Sequence, residues 1–329
     1  MLKDWPKDWK WVALDDLGAL RVRGPDAVRF LQGQLSNDIA RLTGQRSILA
    51  GFHNPQGRTI ALLRLVQLEA GATAGAAPDD LLAILPRELA ATVATRLSKY
   101  VLRSKVKITD ESASWPVAGL IASEVGSPST VPPAWTAVDQ IDQSARWGNW
   151  IVVRVSDNPA RWLVIPATQE SSSIPEAAFP ADPDLWRRLD VAAGLPQVYA
   201  ATSEEFVAQM LNLDVLNAIA FDKGCYTGQE VIARAHYRGR VKRRLQRFIV
   251  SKRAKLERGT SGQLADGRAF KVVEAVQLED GRCEFLAVAP LTAADGETDH
   301  SGGVTSAGTS PSTDTFDAQS LPLSYALPD

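Results

Sequence analysis

Branched apolar residues fill the run Thr59–Leu68, and that pattern predicts a buried strand. A second apolar run, Leu81–Leu85, reads as another strand. Directly after it Leu89, Val93 and Leu97 recur at i, i+4 and i+8, which predicts a helix from about Arg87. Nearer the amino terminus, Pro25 is placed to open a helix carrying Val28, Leu31 and Leu35. Trp150–Val155 and Trp162–Ile165 predict a hairpin, and Asp182-Pro183 leads into a helix with Leu185, Trp186 and Leu189, capped by Asp182. From Val241 the pattern changes to short strands at close intervals: Val241–Val250, Arg268–Leu278 and Arg282–Val288. That change marks a small antiparallel β domain at the carboxyl end. The stretches Glu69–Asp80, Ser123–Pro133 and Asp295–Thr315 are rich in small and turn-forming residues and predict loops, the last one flexible and inside the β domain.

At 329 residues the chain exceeds a typical single core, so two or three domains are expected. The net charge of −2 hides an uneven layout, because Arg234, Arg238, Arg240, Lys242, Arg243, Arg244 and Arg247 crowd into one short run. Such a cluster argues for a local anionic partner and against a protein that coats a polyanion along its whole surface. Arg238, Arg240, Lys242 and Arg244 occupy alternate positions, which on a strand share one face. That face either meets phosphate, in which case binding is strongly salt-dependent, or it is a solvated edge protected from pairing by its charge. Cys225 and Cys283 are the only cysteines, so neither a disulfide framework nor a four-cysteine zinc site is possible, and no metal site is predicted. The first residues lack a signal-peptide core and no later segment holds 18 uninterrupted apolar residues; the expectation is a cytoplasmic protein with no membrane partner.

The densest chemistry lies in Lys223-Gly-Cys-Tyr-Thr-Gly-Gln-Glu230, immediately before the basic run. Gly224 and Gly228 allow positive φ angles or a close backbone approach. Lys223 beside Cys225 can stabilise a thiolate, the reactive form of the side chain. The plainer reading of the same octapeptide is a tight turn around a buried thiol. Tyr226 is either a stacking surface or core. Glu230 either accepts from a ligand's amine edge or forms an ion pair that fixes the loop. Cys283 sits in the alternating run Cys-Glu-Phe-Leu-Ala-Val and predicts a small core side chain.

This octapeptide resembles the signature of the YgfZ family, folate-binding proteins related to the T protein (aminomethyltransferase) of the glycine cleavage system. Other segments resemble the family in the expected order: Phe30-Leu31-Gln32-Gly33-Gln34-Leu35-Ser36-Asn37-Asp38, Tyr100-Val101-Leu102-Arg103-Ser104-Lys105-Val106, Ala193-Gly194-Leu195-Pro196 and Leu321-Pro322-Leu323-Ser324-Tyr325. The resemblance implies an α+β fold: a T-protein-like multidomain body of mixed sheets with packed helices over residues 1–240, in two interleaved subdomains, and a small antiparallel β barrel over 241–329. It implies tetrahydrofolate or a derivative as cofactor. It implies iron–sulfur enzymes or their assembly factors as partners, with a role in tRNA modification and possible tRNA contact.

The resemblance also assigns roles. Cys225 is the family's hallmark thiol; a single cysteine cannot hold a cluster alone, so transient ligand, redox-sensitive thiol and nucleophile all stay open. Folate is held in the family by two tryptophans. Trp186 matches one of them, whereas Leu17 stands at the other and keeps an apolar wall without the stacking geometry. Lys223, Tyr226, Gln229 and Glu230 would complete the folate surroundings, and Arg234, Arg238, Arg240 and Lys242 would face an anion or RNA. The T protein carries adjacent aspartates where this chain has Ala61 and Leu62, and Ala192 replaces an acidic residue before Ala193-Gly194. A general acid or base contributes about 10²–10⁴-fold in rate, so its loss argues against aminomethyl transfer. The rival readings are a folate-dependent one-carbon transferase and a tRNA-binding module built on residues 234–247.

Overall fold

A computed structural model describes residues 9–68, 79–122, 138–169, 179–239, 241–251, 254–291 and 314–328. In chain order the elements begin with β1 (Lys10–Ala13), β2 (Leu17–Arg23), α1 (Ala27–Gln32), β3 (Ile48–His53), β4 (Thr59–Gln67), β5 (Asp80–Pro86) and α2 (Arg87–Ser98). Next come β6 (Lys107–Asp110), β7 (Ala118–Ile121), β8 (Ser144–Trp147), β9 (Trp150–Asp157), β10 (Ala160–Pro166) and β11 (Phe179–Pro180). Helices α3 (Pro183–Ala193) and α4 (Gln229–Tyr237) precede β12 (Arg243–Val250), β13 (Ser261–Leu264), β14 (Ala269–Gln277), β15 (Cys283–Pro290), β16 (Thr315–Phe316) and β17 (Ala318–Leu321).

Three sheets result. One runs β3-β4-β5-β2-β6 and a second runs β11-β1-β7-β10-β9-β8. Consecutive strands β1 and β2 therefore enter different sheets, and the turn Leu14–Leu17 between them, closed by Leu17 N donating to Leu14 O at 3.0 Å, spans the gap. The third sheet, β16-β13-β14-β15-β12-β17, uses only strands after residue 242. Its two edge strands, β16 and β17, are separated in sequence by Asp317 alone, so the sheet has to curl until its edges meet. That is the geometry of a small, nearly closed barrel, which removes exposed edges.

Strand β5 is buried along its whole length because both its faces are covered. Leu81, Ala83 and Leu85 pack into the core with Leu89, Val93 and Leu97 of α2, while Leu82 and Ile84 pack with Val153, Leu163 and Trp186 of the second sheet. Each buried leucine or valine on α2 contributes about 1.5–3 kcal/mol. The hairpin β9–β10 pairs Trp150 with Pro166, and Asp182 caps α3 by accepting from Asp184 N at 2.9 Å.

Two expectations are corrected. Helix α1 begins at Ala27, two residues after Pro25, and ends at Gln32; Leu35 lies beyond it and bridges to Phe52. The basic run is not one strand face. Arg234 lies in α4, Arg238 ends it, Lys242 precedes β12, and Arg244 turns inward. Arg240 and most of the predicted loops (69–78, 123–133, 295–313) lie outside the described residues.

Candidate functional site

Where β1, β2, β4, α3 and the barrel converge, a cavity of about 390 Å³ opens. Its apolar wall is made by Leu14, Leu17, Leu62, Ile84, Leu163 and Trp186. The placement follows from the topology: Leu17 starts β2 just after the inter-sheet turn, Leu62 is mid-β4, and Trp186 is one turn into α3. Leu17 and Trp186, named from the resemblance, are thus brought together. Leu62, at one of the T protein's acidic positions, faces the same space as the tryptophan, while Ala61 is fully buried.

Trp186 is only 6% exposed. A Cβ on Gly119 of β7 would stand 2.3 Å from its Cε3, so the indole lies directly on that backbone. The Arg161 guanidinium sits 4.7 Å from the ring centroid. The indole is therefore a fixed wall of the cavity, held from behind, and not a free stacking plate.

Sequence reasoning missed the polar end of this cavity. Asp190, Asp16 and Glu274 all line it. Asp190 accepts from the fully buried Arg161 at 2.7 Å. Burial raises the Asp190 carboxyl above its ordinary range; Arg161 opposes the shift, and Glu274 and Asp16 add to it. Asp16 accepts from Tyr199 Oη at 2.7 Å and from Arg187 at 3.3 Å. Burial, reinforced by Asp16, keeps the Tyr199 phenol protonated. Glu274 receives Arg258 through both Nε and Nη2, and the Arg258 guanidinium lies 3.3 Å from the Tyr199 ring centroid. The signal for Asp190 was available in helical spacing. It lies four residues after Trp186 and so shares its face of α3, whereas position 192 falls about 240° around the helix.

The Cys225 loop lies elsewhere, and none of residues 223–230 lines the Trp186 cavity. Cys225 is exposed, as expected of a reachable thiol, and Cys283 is buried in the barrel core, where burial pushes its thiol up to about 11. Lys223 is corrected. Its ammonium donates to the carbonyls of Gln32, Leu35 and Asn37, each at 2.7 Å, so all three protons are engaged away from the thiol. Burial lowers Lys223 to about 8, against the pull of Asp38. Tyr226 is buried, with Lys223 Nζ 5.1 Å from its ring centroid and His53 6.5 Å away ring to ring. Gly228 adopts φ +82, where a Cβ would meet Asn54 O at 2.6 Å, so only glycine fits against the β3–β4 turn. Gln229 and Glu230 open α4, and the exposed Glu230 pairs with Arg234 at 3.2 Å along the helix.

Arg238 and Lys242 are exposed, but Arg244 is buried against Asp214 at 2.9 Å and Arg247 pairs with Glu284. The positive run is therefore divided among an outer helix end, Arg244, which fastens the barrel to residues 209–214, and Arg247, whose ion pair lies within the barrel. Among the described residues no group of three or more His, Cys, Asp or Glu side chains is arranged to hold a metal ion, and no helix is long and apolar enough to cross a membrane.

The sheet order and the converging cavity define a protein with the fold of the glycine cleavage aminomethyltransferase. The structure is similar to that of aminomethyltransferase T from Bartonella henselae, with a TM-score of 0.63 over 86% of this chain and 79% of that one, at 14% identity. In sequence the chain is 32% identical to the tRNA-modifying protein YgfZ of Klebsiella pneumoniae (strain 342), over 82% of each. It is 31% identical to the protein of the same name from Yersinia pseudotuberculosis serotype O:1b (strain IP 31758), over 84% of this chain and 83% of that one. No protein-family model matches the chain. The chain belongs to the YgfZ family.

Proposed function

We propose that this protein binds a reduced folate in the Trp186–Leu17–Leu62 cavity and supports iron–sulfur enzymes in tRNA modification, without transferring an aminomethyl group. The observation that carries the reading is Leu62, an apolar side chain on the wall that also holds Trp186. A leucine cannot move a proton, so the cavity keeps a ring-shaped apolar wall while lacking a carboxylate at that point. The relatives' name, tRNA-modifying protein, supports the process.

The residues present suit a pterin. A cavity of about 390 Å³ lies in the usual range for small-ligand sites. A pterin ring carries a guanidine-like donor edge, from which a carboxylate oxygen accepts. Asp190 stands on the Trp186 face of α3 with one oxygen engaged by Arg161, leaving the other for that edge. When bound, the folate would supply one-carbon carrying chemistry. The chain's own contribution is to bind and orient the ring, with Asp190 holding its amine edge.

Titration with tetrahydrofolate, followed by tryptophan fluorescence, tests the binding. Saturable quenching that weakens in Leu17→Asp supports the reading. No saturation at millimolar ligand removes folate from it. Turnover with the other glycine cleavage components, at the rate of an authentic T protein, would overturn the absence of transfer.

A further inference from the structure

The segment Tyr100-Val101-Leu102-Arg103-Ser104-Lys105 forms the turn between α2 and β6, and none of it lines the Trp186 cavity. The turn is displayed to solvent. Leu102 is 86% exposed and Tyr100, two residues before it, is 47% exposed. Lys99, Arg103 and Lys105 are exposed around them. The adjoining sheet edge adds two more cations: Arg23 of β2 and Lys107 of β6 are both exposed and stand directly opposite each other in register. Like charges so placed are destabilising unless something else compensates them.

Residues 99–107 carry four cations and no carboxylate, in a chain whose net charge is −2. Acids on the neighbouring strands are engaged: Asp80 and Glu111 pair with Arg21, and Asp110 accepts from Ser112 Oγ at 2.5 Å. Asp26 holds the turn by its main chain, accepting from Lys105 N at 2.7 Å, which leaves the Lys105 ammonium to solvent. Lysine often guards an edge strand, and Lys107 would serve β6 in that way; a cation at Lys99 suits the carboxyl end of α2. Neither device calls for Arg103 and Lys105, or for a leucine and a tyrosine held out in solvent. The turn is also linked to the cysteine segment through α1. Asp26, which binds Lys105, precedes that helix, and Gln32, which binds Lys223, ends it. The six residues between rise about 9 Å, and Arg29 is exposed among them.

We infer that the α2–β6 turn is a docking site for RNA. Arg23, Arg103, Lys105 and Lys107 meet phosphates, while Tyr100 and Leu102 pack against an unstacked base and its ribose. Charge complementarity selects this occupant. RNA carries a negative charge at every nucleotide, which suits cations spread over a turn and a strand pair. A membrane would need more apolar surface than one leucine and a half-exposed tyrosine supply. The inference rests on the tRNA-modification part of the reading above and on neither folate nor iron–sulfur chemistry.

The test titrates the full chain into a labelled, unmodified tRNA transcript at several salt concentrations and follows fluorescence anisotropy. Affinity should fall steeply as salt rises. Arg103→Ala and Lys105→Ala should each weaken binding about fivefold at low salt and lower the salt slope by about 1. Tyr100→Ala should weaken binding about tenfold and leave the slope unchanged, as loss of a stacking surface would. Lys255→Ala, which removes an exposed cation elsewhere, should do neither. All four side chains are exposed, so circular dichroism should show unchanged folding. Absence of saturable tRNA binding overturns the docking site, and so do equal losses from Lys255→Ala and Arg103→Ala. If Arg103→Ala abolishes binding to vesicles of anionic lipid, or to an acidic protein, while tRNA affinity stays intact, the turn serves that partner and the inference falls. A chain that binds tRNA through this turn, yet fails to restore tRNA modification in cells lacking the native protein, keeps the site and overturns the proposed role.

Discussion

The ammonium of Lys223 donates to the main-chain carbonyl of Gln32 at 2.7 Å, joining two segments 191 residues apart in sequence. With Leu35 and Asn37 as further acceptors, one side chain satisfies carbonyls at and just past the end of α1, where a helix leaves such groups without partners. The cysteine segment and the amino-terminal Phe-Leu-Gln-Gly-Gln-Leu-Ser-Asn-Asp segment are thus one structural unit.

Lys223→Met should therefore destabilise the protein by on the order of 3 kcal/mol, because it leaves part-buried carbonyls unpaired. Urea unfolding measures the loss. Unchanged stability would mean that water replaces the ammonium without penalty.

Gly119→Ala tests the seat of Trp186. The added methyl would meet the indole at 2.3 Å, so the ring must move. A cost of about 1–3 kcal/mol is expected from overpacking. Tetrahydrofolate affinity should fall at the same time, since the displaced ring is a wall of the cavity. Trp186→Ala should cost about 3–5 kcal/mol, as for other buried aromatics.

His53 predicts a pH dependence. It is buried beneath Tyr226, neither ring nitrogen has a hydrogen-bond partner among the described residues, and burial lowers its pKa to about 3. The unfolded chain takes up a proton near 6.5 while the folded protein does not until about 3, so stability falls as pH drops through that window. The slope from this one group approaches about 1.4 kcal/mol per pH unit. Carboxylates titrate equally in His53→Leu, so the difference between the two proteins isolates the histidine. Parallel stability–pH curves would rule the effect out.

The two cysteines should separate cleanly. Cys225 is exposed, so alkylation of the folded protein should label it first. Cys225→Ser should change stability by no more than about 0.5 kcal/mol, yet reduce tRNA modification in cells lacking the native protein. Cys283 is fully buried in the barrel and should react only on unfolding; Cys283→Ser should cost about 1–3 kcal/mol by burying a hydroxyl. Full complementation by Cys225→Ser would make that thiol dispensable.

Much of this arrangement was legible in local pattern. The periodicity of Leu89, Val93 and Leu97 matches α2, the apolar run at 59–68 matches β4, and the Asp182 cap matches the start of α3. Leu17, Leu62 and Trp186 were legible through motif resemblance, which carries spatial information that periodicity lacks. Local rules failed where a distant residue took over a group. Alternation placed Arg244 on a solvent face, but Asp214 draws it inward. Proximity in sequence aimed Lys223 at Cys225, but unsatisfied carbonyls after α1 captured it.

The sequence by itself determined β4, β5, α2 and α3, the barrel-forming change of pattern after residue 241, and the two apolar residues that replace acids in β4. Those depend on side-chain period and identity, which are written along the chain. Only the tertiary structure decided that Asp190, Asp16 and Glu274 form a polar end to the Trp186 cavity and that the Cys225 loop lies outside it. Burial, ion pairing and cavity shape depend on which distant segments meet. Here that follows from β1 and β2 parting into different sheets and from a barrel strand reaching back to α3.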